Sequence, residues 1–216
     1  MTTSVADTAA RRAYWAASLD AAHQFMSRIM EYPVNECGEP LVSLPHAAAD
    51  AGVTVRFSDS KIAGAHDRMF CLREGLIPRF IHAARLMNDR GWVLKVEDGY
   101  RNRDMQRDLT LAPYVLDIIL KKVTWELNGD VPDPDFFYKR LMVLTATAPK
   151  IGTHMSGSAV DISVHCLDTE KEIDRGGPYI ELSEKTPMDS PFVSPDQQKN
   201  RTEITSILRN AGFVAY

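Results

Sequence analysis

The segment GTHMSGSAVD, residues 152–161, sets a histidine and an aspartate seven positions apart across a run of residues too small to fill a core. It leads directly into an alternating stretch, SGSAVDISVH, that reads as a strand. Side chains alternate across a strand, so Val160, Ile162 and Val164 share one face while Ala159, Asp161, Ser163 and His165 share the other. The apolar face belongs to the core, which turns Asp161 toward a cleft or solvent. Ser156, Gly157 and Ser158 are small enough for the chain to fold back and bring the His154 imidazole and the Asp161 carboxylate to one point. A neutral imidazole and a carboxylate are good zinc ligands, although such a site also needs a third protein ligand and an open position. On spacing alone the signal is weak, and a simple hydrogen bond between the two side chains is the more economical reading.

The rest of the chain supplies helices and one more clear strand. Trp15, Leu19, Ala22, Met26 and Ile29 recur at steps of four and three, which predicts an amphipathic helix over about residues 6–31, stopped by Pro33. Residues 33–66 read as irregular, apart from a short strand at VTVRF. REGLIPRFIHAARLMNDRG predicts a helix with Ile77, Phe80, Ala84 and Met87 on its apolar face and Gly91 just past its last turn. WVLKVEDGY reads as a strand ending in the Asp98–Gly99 turn. A helical region over about 103–127 is interrupted at Pro113, and PDPD at 132–135 reads as a loop. Residues 174–200 are loop-like, and NRTEITSILRNAGF predicts a last helix, with Asn200 and Glu203 as a capping box and Gly212 as its stop. FVAY then begins an extended segment.

These elements predict an α+β fold in one domain over residues 1–216, with residues 1–31 as a helical extension. A small, mainly antiparallel sheet would be backed by helices, with the His154–Asp161 site at one end of the sheet. The net charge of −4, without a Lys/Arg run, argues against nucleic acid or an anionic membrane as partner. Three scattered cysteines give no disulfide framework. The N-terminus lacks the apolar core of a signal peptide and no stretch approaches a membrane span, so the expected compartment is the cytoplasm.

THMSGSAVD also resembles the SxHxxGxAxD signature of the zinc D-Ala-D-Ala dipeptidases of the vancomycin-resistance type and the related D-alanyl-D-alanine carboxypeptidases. The resemblance continues, in the family's order, through CLREGL (71–76), VEDGYRNRDMQ (96–106), MDSPF (188–192) and NAGF (210–213), and runs from about Val53 onward. It implies His154 and Asp161 as zinc ligands, and Arg101 as the cation that stabilises the oxygen gaining negative charge at the scissile carbonyl. It further implies Thr153, Ser156 and Asp189 as candidates for binding the substrate. Pro187, however, stands where the family has an Asp, which puts strict dipeptide specificity in doubt.

The implied activity is zinc-dependent hydrolysis of D-Ala-D-Ala, or a related small peptide of cell-wall chemistry, by metal-activated water. A carboxypeptidase acting on peptidoglycan stem peptides and a non-catalytic binding protein on the same scaffold are the alternatives. The family's third ligand and its catalytic base come from a Glu-x-x-His motif a few residues beyond the segment that reads GFVAY here. The sequence reaches Tyr216 without it, and the expectation is that the polypeptide continues. His165, four strand residues past Asp161, would lie about 13 Å away. His23, His46, His66 and His82 fall in segments the family does not use for zinc.

Overall fold

A computed structural model of the protein describes residues 5–145 and 150–215. In chain order these form α1 (Val5–Glu31), β1 (Leu41–Ser43), α2 (Leu44–Asp50), β2 (Val55–Phe57), β3 (Cys71–Arg73), α3 (Ile77–Asp89), β4 (Trp92–Asp98), α4 (Arg103–Thr110), α5 (Pro113–Glu126), α6 (Pro134–Leu144), β5 (Asp161–Cys166) and α7 (Pro195–Asn210). Single 3-10 turns occupy Glu74–Leu76 and His154–Ser156.

The architecture is α+β with small sheets. β4 is the central strand of a three-stranded sheet, with β2 parallel on one side and β5 antiparallel on the other, while β1 and β3 form a separate antiparallel pair. Two of the three pairings are therefore antiparallel. The parallel β2–β4 pair needs a crossover connection, which the segment carrying β3 and α3 provides. β4 is buried along nearly its whole length because it has a neighbour on each side and cover on both faces. Leu94 pairs with Val164 and Val96 with Ile162 across the β4–β5 ladder. That face meets Phe80, Ala84 and Met87 of α3 and Ile204 of α7 in the main core. Gly91 takes a positive φ of 78° at the end of α3, as its place after the last helical turn requires.

A second apolar region lies among the helices. Trp15 and Leu19 of α1 are buried against Val143 of α6, and Ile119 and Val123 of α5 pack with Leu141 of α6. No described helix is long and apolar enough to cross a membrane.

Four local expectations are corrected. Residues 33–66 are not irregular around VTVRF: they also hold β1 and α2, with the Ser43 side chain capping α2 and Pro45 in its first turn. PDPD is not only a loop. Asp133 caps α6, its Oδ1 accepting the Phe136 N–H at 2.9 Å, and Pro134 starts the helix where no N–H is required. The capping box of α7 is Ser194 with Gln197, six residues ahead of the expected one, again with a proline (Pro195) in the first turn. The strand around Asp161 begins at that residue rather than at Ser156, because Gly157 turns the chain through a left-handed conformation. Phe213–Ala215 carry no strand, and Tyr216 lies outside the described residues.

Candidate active site

The site residues come from the ends of β4 and β5. The ladder between these strands slips at its end: Val96 pairs with Ile162, but the next pair is Asp98 with Asp161, leaving Glu97 as the extra residue of a bulge. Bulges re-aim side chains where a strand terminates, and this one sets two carboxylates opposite each other.

Arg101 offsets that repulsion. Its Nε and Nη2 both lie 2.7 Å from Asp98 Oδ2, and Nη2 is 3.6 Å from Asp161 Oδ2. Asp98 is fully buried and also accepts Arg68 Nη1 at 2.8 Å and the Gly99 N–H at 2.9 Å. Arg101 Nη1 donates to Gln106 Oε1 at 3.1 Å. A guanidinium has five N–H donors, so after these bonds one Nη1 hydrogen and the weakly engaged Nη2 hydrogen remain to meet a further oxygen. A cavity of about 470 Å³ opens beside it, lined by Tyr100, Arg101, Arg103, Met155 and Lys150.

His154 arrives on a short turn that the sequence builds tightly. The Thr153 hydroxyl accepts the Ser156 N–H at 3.3 Å and donates to the Lys150 carbonyl at 2.7 Å. Ser156 Oγ donates to the Thr153 carbonyl at 2.7 Å and lies 2.6 Å from Ser158 Oγ. Gly157 closes the turn at φ 72°, where a Cβ would also stand 2.7 Å from Leu41 Cδ2. The His154 carbonyl accepts the Arg101 N–H at 3.3 Å, tying the two segments together.

The buried His154 ring is fixed by its Nδ1, 2.6 Å from the Gly99 carbonyl. A carbonyl can only accept, so Nδ1 carries the hydrogen and the neutral ring presents a lone pair at Nε2. Gly99 is needed for this approach, since a Cβ there would meet the Met69 carbonyl at 2.7 Å. Nε2 faces Asp161 Oδ2 at 3.4 Å. Two lone pairs thus converge on one point, an arrangement that a proton or a metal cation resolves. For ligand bonds of about 2.0–2.1 Å, the edge of a zinc tetrahedron is about 3.4 Å, so the observed separation fits two ligands of one ion. The Nδ1–H to carbonyl bond is the usual outer support of a metal-binding histidine.

Asp161 has a third neighbour that no motif or periodicity pointed to. Tyr179, from the loop between β5 and α7, donates to Asp161 Oδ2 at 2.9 Å. Burial works against ionisation of Asp161, but a proton shared with His154 Nε2, the Arg101 charge and the Tyr179 hydroxyl outweigh it and hold the carboxyl below its ordinary range. Burial, reinforced by the Asp161 charge, pushes the Tyr179 phenol far up, so it stays a donor. The next residue, Ile180, has φ 72°, a strained conformation for a β-branched side chain.

The remaining sequence-derived residues are placed differently. The Thr153 and Ser156 hydroxyls are both committed within the turn that presents His154. Asp189 is exposed and accepts the Tyr14 hydroxyl of α1 at 3.3 Å. Its neighbour Phe192 packs edge-on against the Tyr14 ring, with Arg11 over its face. The MDSPF stretch therefore docks on α1. His165 is occupied elsewhere, its Nε2 3.1 Å from Ser163 Oγ and its Nδ1 3.0 Å from the Glu170 carbonyl. His66 bonds Asp108 at 2.8 Å. Among the described residues, no group of three or more His, Cys, Asp or Glu side chains is arranged to hold a metal ion.

The α+β scaffold thus brings a tautomer-fixed histidine and an aspartate together at one end of its sheet, beside an anchored arginine. The chain belongs to the D-ala-D-ala dipeptidase family, peptidase M15, whose model matches residues 61–216. It is 31% identical over 141 residues to a D-alanyl-D-alanine dipeptidase of Enterococcus faecium. That alignment covers 65% of this chain and 66% of the relative, so the chain spans just under two thirds of the relative's length. The family match begins at Lys61, and α1, β1, α2 and β2 precede it.

Proposed function

We propose that the protein is a zinc peptidase that hydrolyses D-Ala-D-Ala or a closely related small peptide. The observation that carries this reading is the convergence of His154 Nε2 and Asp161 Oδ2 to 3.4 Å beside Arg101, in a chain of the D-ala-D-ala dipeptidase family.

His154 and Asp161 would hold the ion. When bound, zinc supplies Lewis acidity toward the peptide carbonyl and lowers the pKa of water. Arg101 does the rest of the electrostatic work. Anchored by Asp98 and Gln106, it keeps its free N–H groups aimed at the oxygen that gains negative charge, with no reorganisation needed at that moment. Asp98, shared by Arg101 and Arg68, acts as a positioning residue. Tyr179 holds Asp161 in its ionised, ligand-ready form. The cavity beside Arg101 gives the peptide a place to lie. Thr153 and Ser156 support substrate binding indirectly, by shaping the His154 turn, and Asp189 is retained as a candidate for the substrate amino group. Among the described residues no further His, Cys, Asp or Glu joins this pair as a third ligand.

The test is hydrolysis of D-Ala-D-Ala by the full-length polypeptide, followed as release of D-alanine with and without a chelator. The expected result is activity that the chelator abolishes and added zinc restores. Arg101→Ala should lower kcat by at least about 100-fold while zinc remains bound. No release of D-alanine by the zinc-loaded protein would overturn the reading.

A further inference from the structure

Behind Tyr179 lies a second cavity, of about 170 Å³, lined by Arg175, Gly177, Tyr179, Glu181, Lys185 and Arg201. Three of these side chains are cationic and one is anionic. Arg201, on α7, is 5% exposed, yet it makes no ion pair among the described residues. Its Nε donates to the Arg175 carbonyl at 2.6 Å and its Nη1 to the Pro187 carbonyl at 2.7 Å. Nη2 has no acceptor among the described residues.

The neighbouring Arg175 is also short of acceptors. Its Nη1 donates to the Ile162 carbonyl at 3.3 Å and its Nη2 to Glu172 at 2.8 Å, while its Nε is buried without a partner. Glu181, the carboxylate of the lining, is engaged by the Ser183 hydroxyl at 2.7 Å. Asp174 is held by Gln197 and the Gly176 N–H. The Lys185 ammonium has no hydrogen bond to any of the described residues. A buried cation without a paired carboxylate is expensive, and burial together with the Arg175 charge lowers the pKa of Arg201. A guanidinium keeps its proton regardless; the Glu181 and Asp174 charges support it without an ion pair to it among the described residues, and a negative ligand would complete the compensation.

We propose that this cavity is an anion-binding site, taking the carboxylate or phosphate group of a small molecule between Arg201 and Lys185. Its volume suits one such group with a few attached atoms. The site is distinct from the His154–Asp161 point but shares Tyr179 with it as a wall. It does not depend on the peptidase reading.

The test is calorimetric titration of the full-length protein with inorganic phosphate and with acetate at millimolar concentrations. The expected result is saturable one-to-one binding of at least one of them, weakened about tenfold or more by Lys185→Ala and by Arg175→Gln. Arg209→Gln, an exposed arginine on the same helix, should leave the affinity unchanged. Lys185→Ala removes no side-chain hydrogen bond to any of the described residues, so it reports on the site even where an arginine variant misfolds. Tighter phosphate binding identifies a phosphate-bearing ligand and tighter acetate binding a carboxylate-bearing one. Failure of both anions to bind, indifference to Lys185→Ala, or loss of binding in His154→Ala instead would overturn the proposal.

Discussion

Two buried guanidiniums, one in each half of the molecule, meet their carboxylates in different ways. In the helical layer, Arg140 of α6 is paired with Glu126 of α5 and with Asp20 of α1, its Nη1 2.8 Å from Asp20 Oδ1, and its face lies over Phe136. Burial opposes the Arg140 charge, but Glu126 and Asp20 outweigh it and hold the guanidinium above its ordinary range. Lys139 reaches the same Asp20 oxygen at 2.8 Å. Every group there is answered by another within the cluster. At the end of the sheet, Arg101 is equally well anchored by Asp98, yet the cluster does not close. Asp161 stays about one-third exposed, and the His154 Nε2 lone pair faces it. A closed set of charges fastens three helices together. An open one, held rigidly by closed neighbours, is what a ligand can complete.

The comparison breaks most visibly if Arg140 is removed. Arg140→Ala strands the Glu126 carboxylate, and equilibrium urea unfolding should show a loss of about 3–5 kcal/mol with zinc affinity intact in the fraction that stays folded. Asp98→Asn comes next. It leaves Arg68 and Arg101 without their shared carboxylate, so unfolding should show a loss of about 1.5–3 kcal/mol, accompanied by a drop in kcat because Arg101 is no longer held. Tyr179→Phe sharpens the distinction from the other side: stability should hold, while zinc affinity falls about tenfold, the scale expected for an outer support of a ligand.

The smallest effect is a pH dependence. The Lys139 hydrogen bond, and then that of Arg140, hold the Asp20 carboxyl below its ordinary range. A lowered folded-state pKa stabilises the protein above the unfolded value of about 3.9, and the contribution is lost as pH falls through the lower folded value. Asp20→Asn should therefore lose stability less steeply than the unaltered protein below about pH 4, measured as the midpoint of thermal unfolding.

Much of the fold could be read from periodicity. The stripes in α1 and α3, and the alternation in β4 and β5, are long enough for a face to declare itself, and Gly91 and Gly212 mark their helix ends. β1 and α2 are too short to show a period, while α6 and the first turn of α7 hid behind prolines that open helices as readily as they end strands. The meeting of His154 and Asp161 was legible because the residues between them are too small to fill a core, whereas Arg101 was reached through the likeness to the family's DGYR turn. Tyr179 was not, since a loop tyrosine carries no periodic signal and its target lies 18 residues away. The choice of Asp189 rested on a short likeness in a loop, and the Tyr14 hydroxyl that meets it lies 175 residues earlier in the chain.

The central claim is that His154 and Asp161 are two ligands of one metal ion, and zinc titration of the full-length protein against a competing chelator tests it most directly. The account predicts one equivalent of tightly bound zinc, with Asp161→Asn lowering the affinity by at least about 100-fold while shifting folding stability by no more than about 1 kcal/mol. Zinc binding that Asp161→Asn leaves unchanged, or no zinc binding by the unaltered protein, would contradict it.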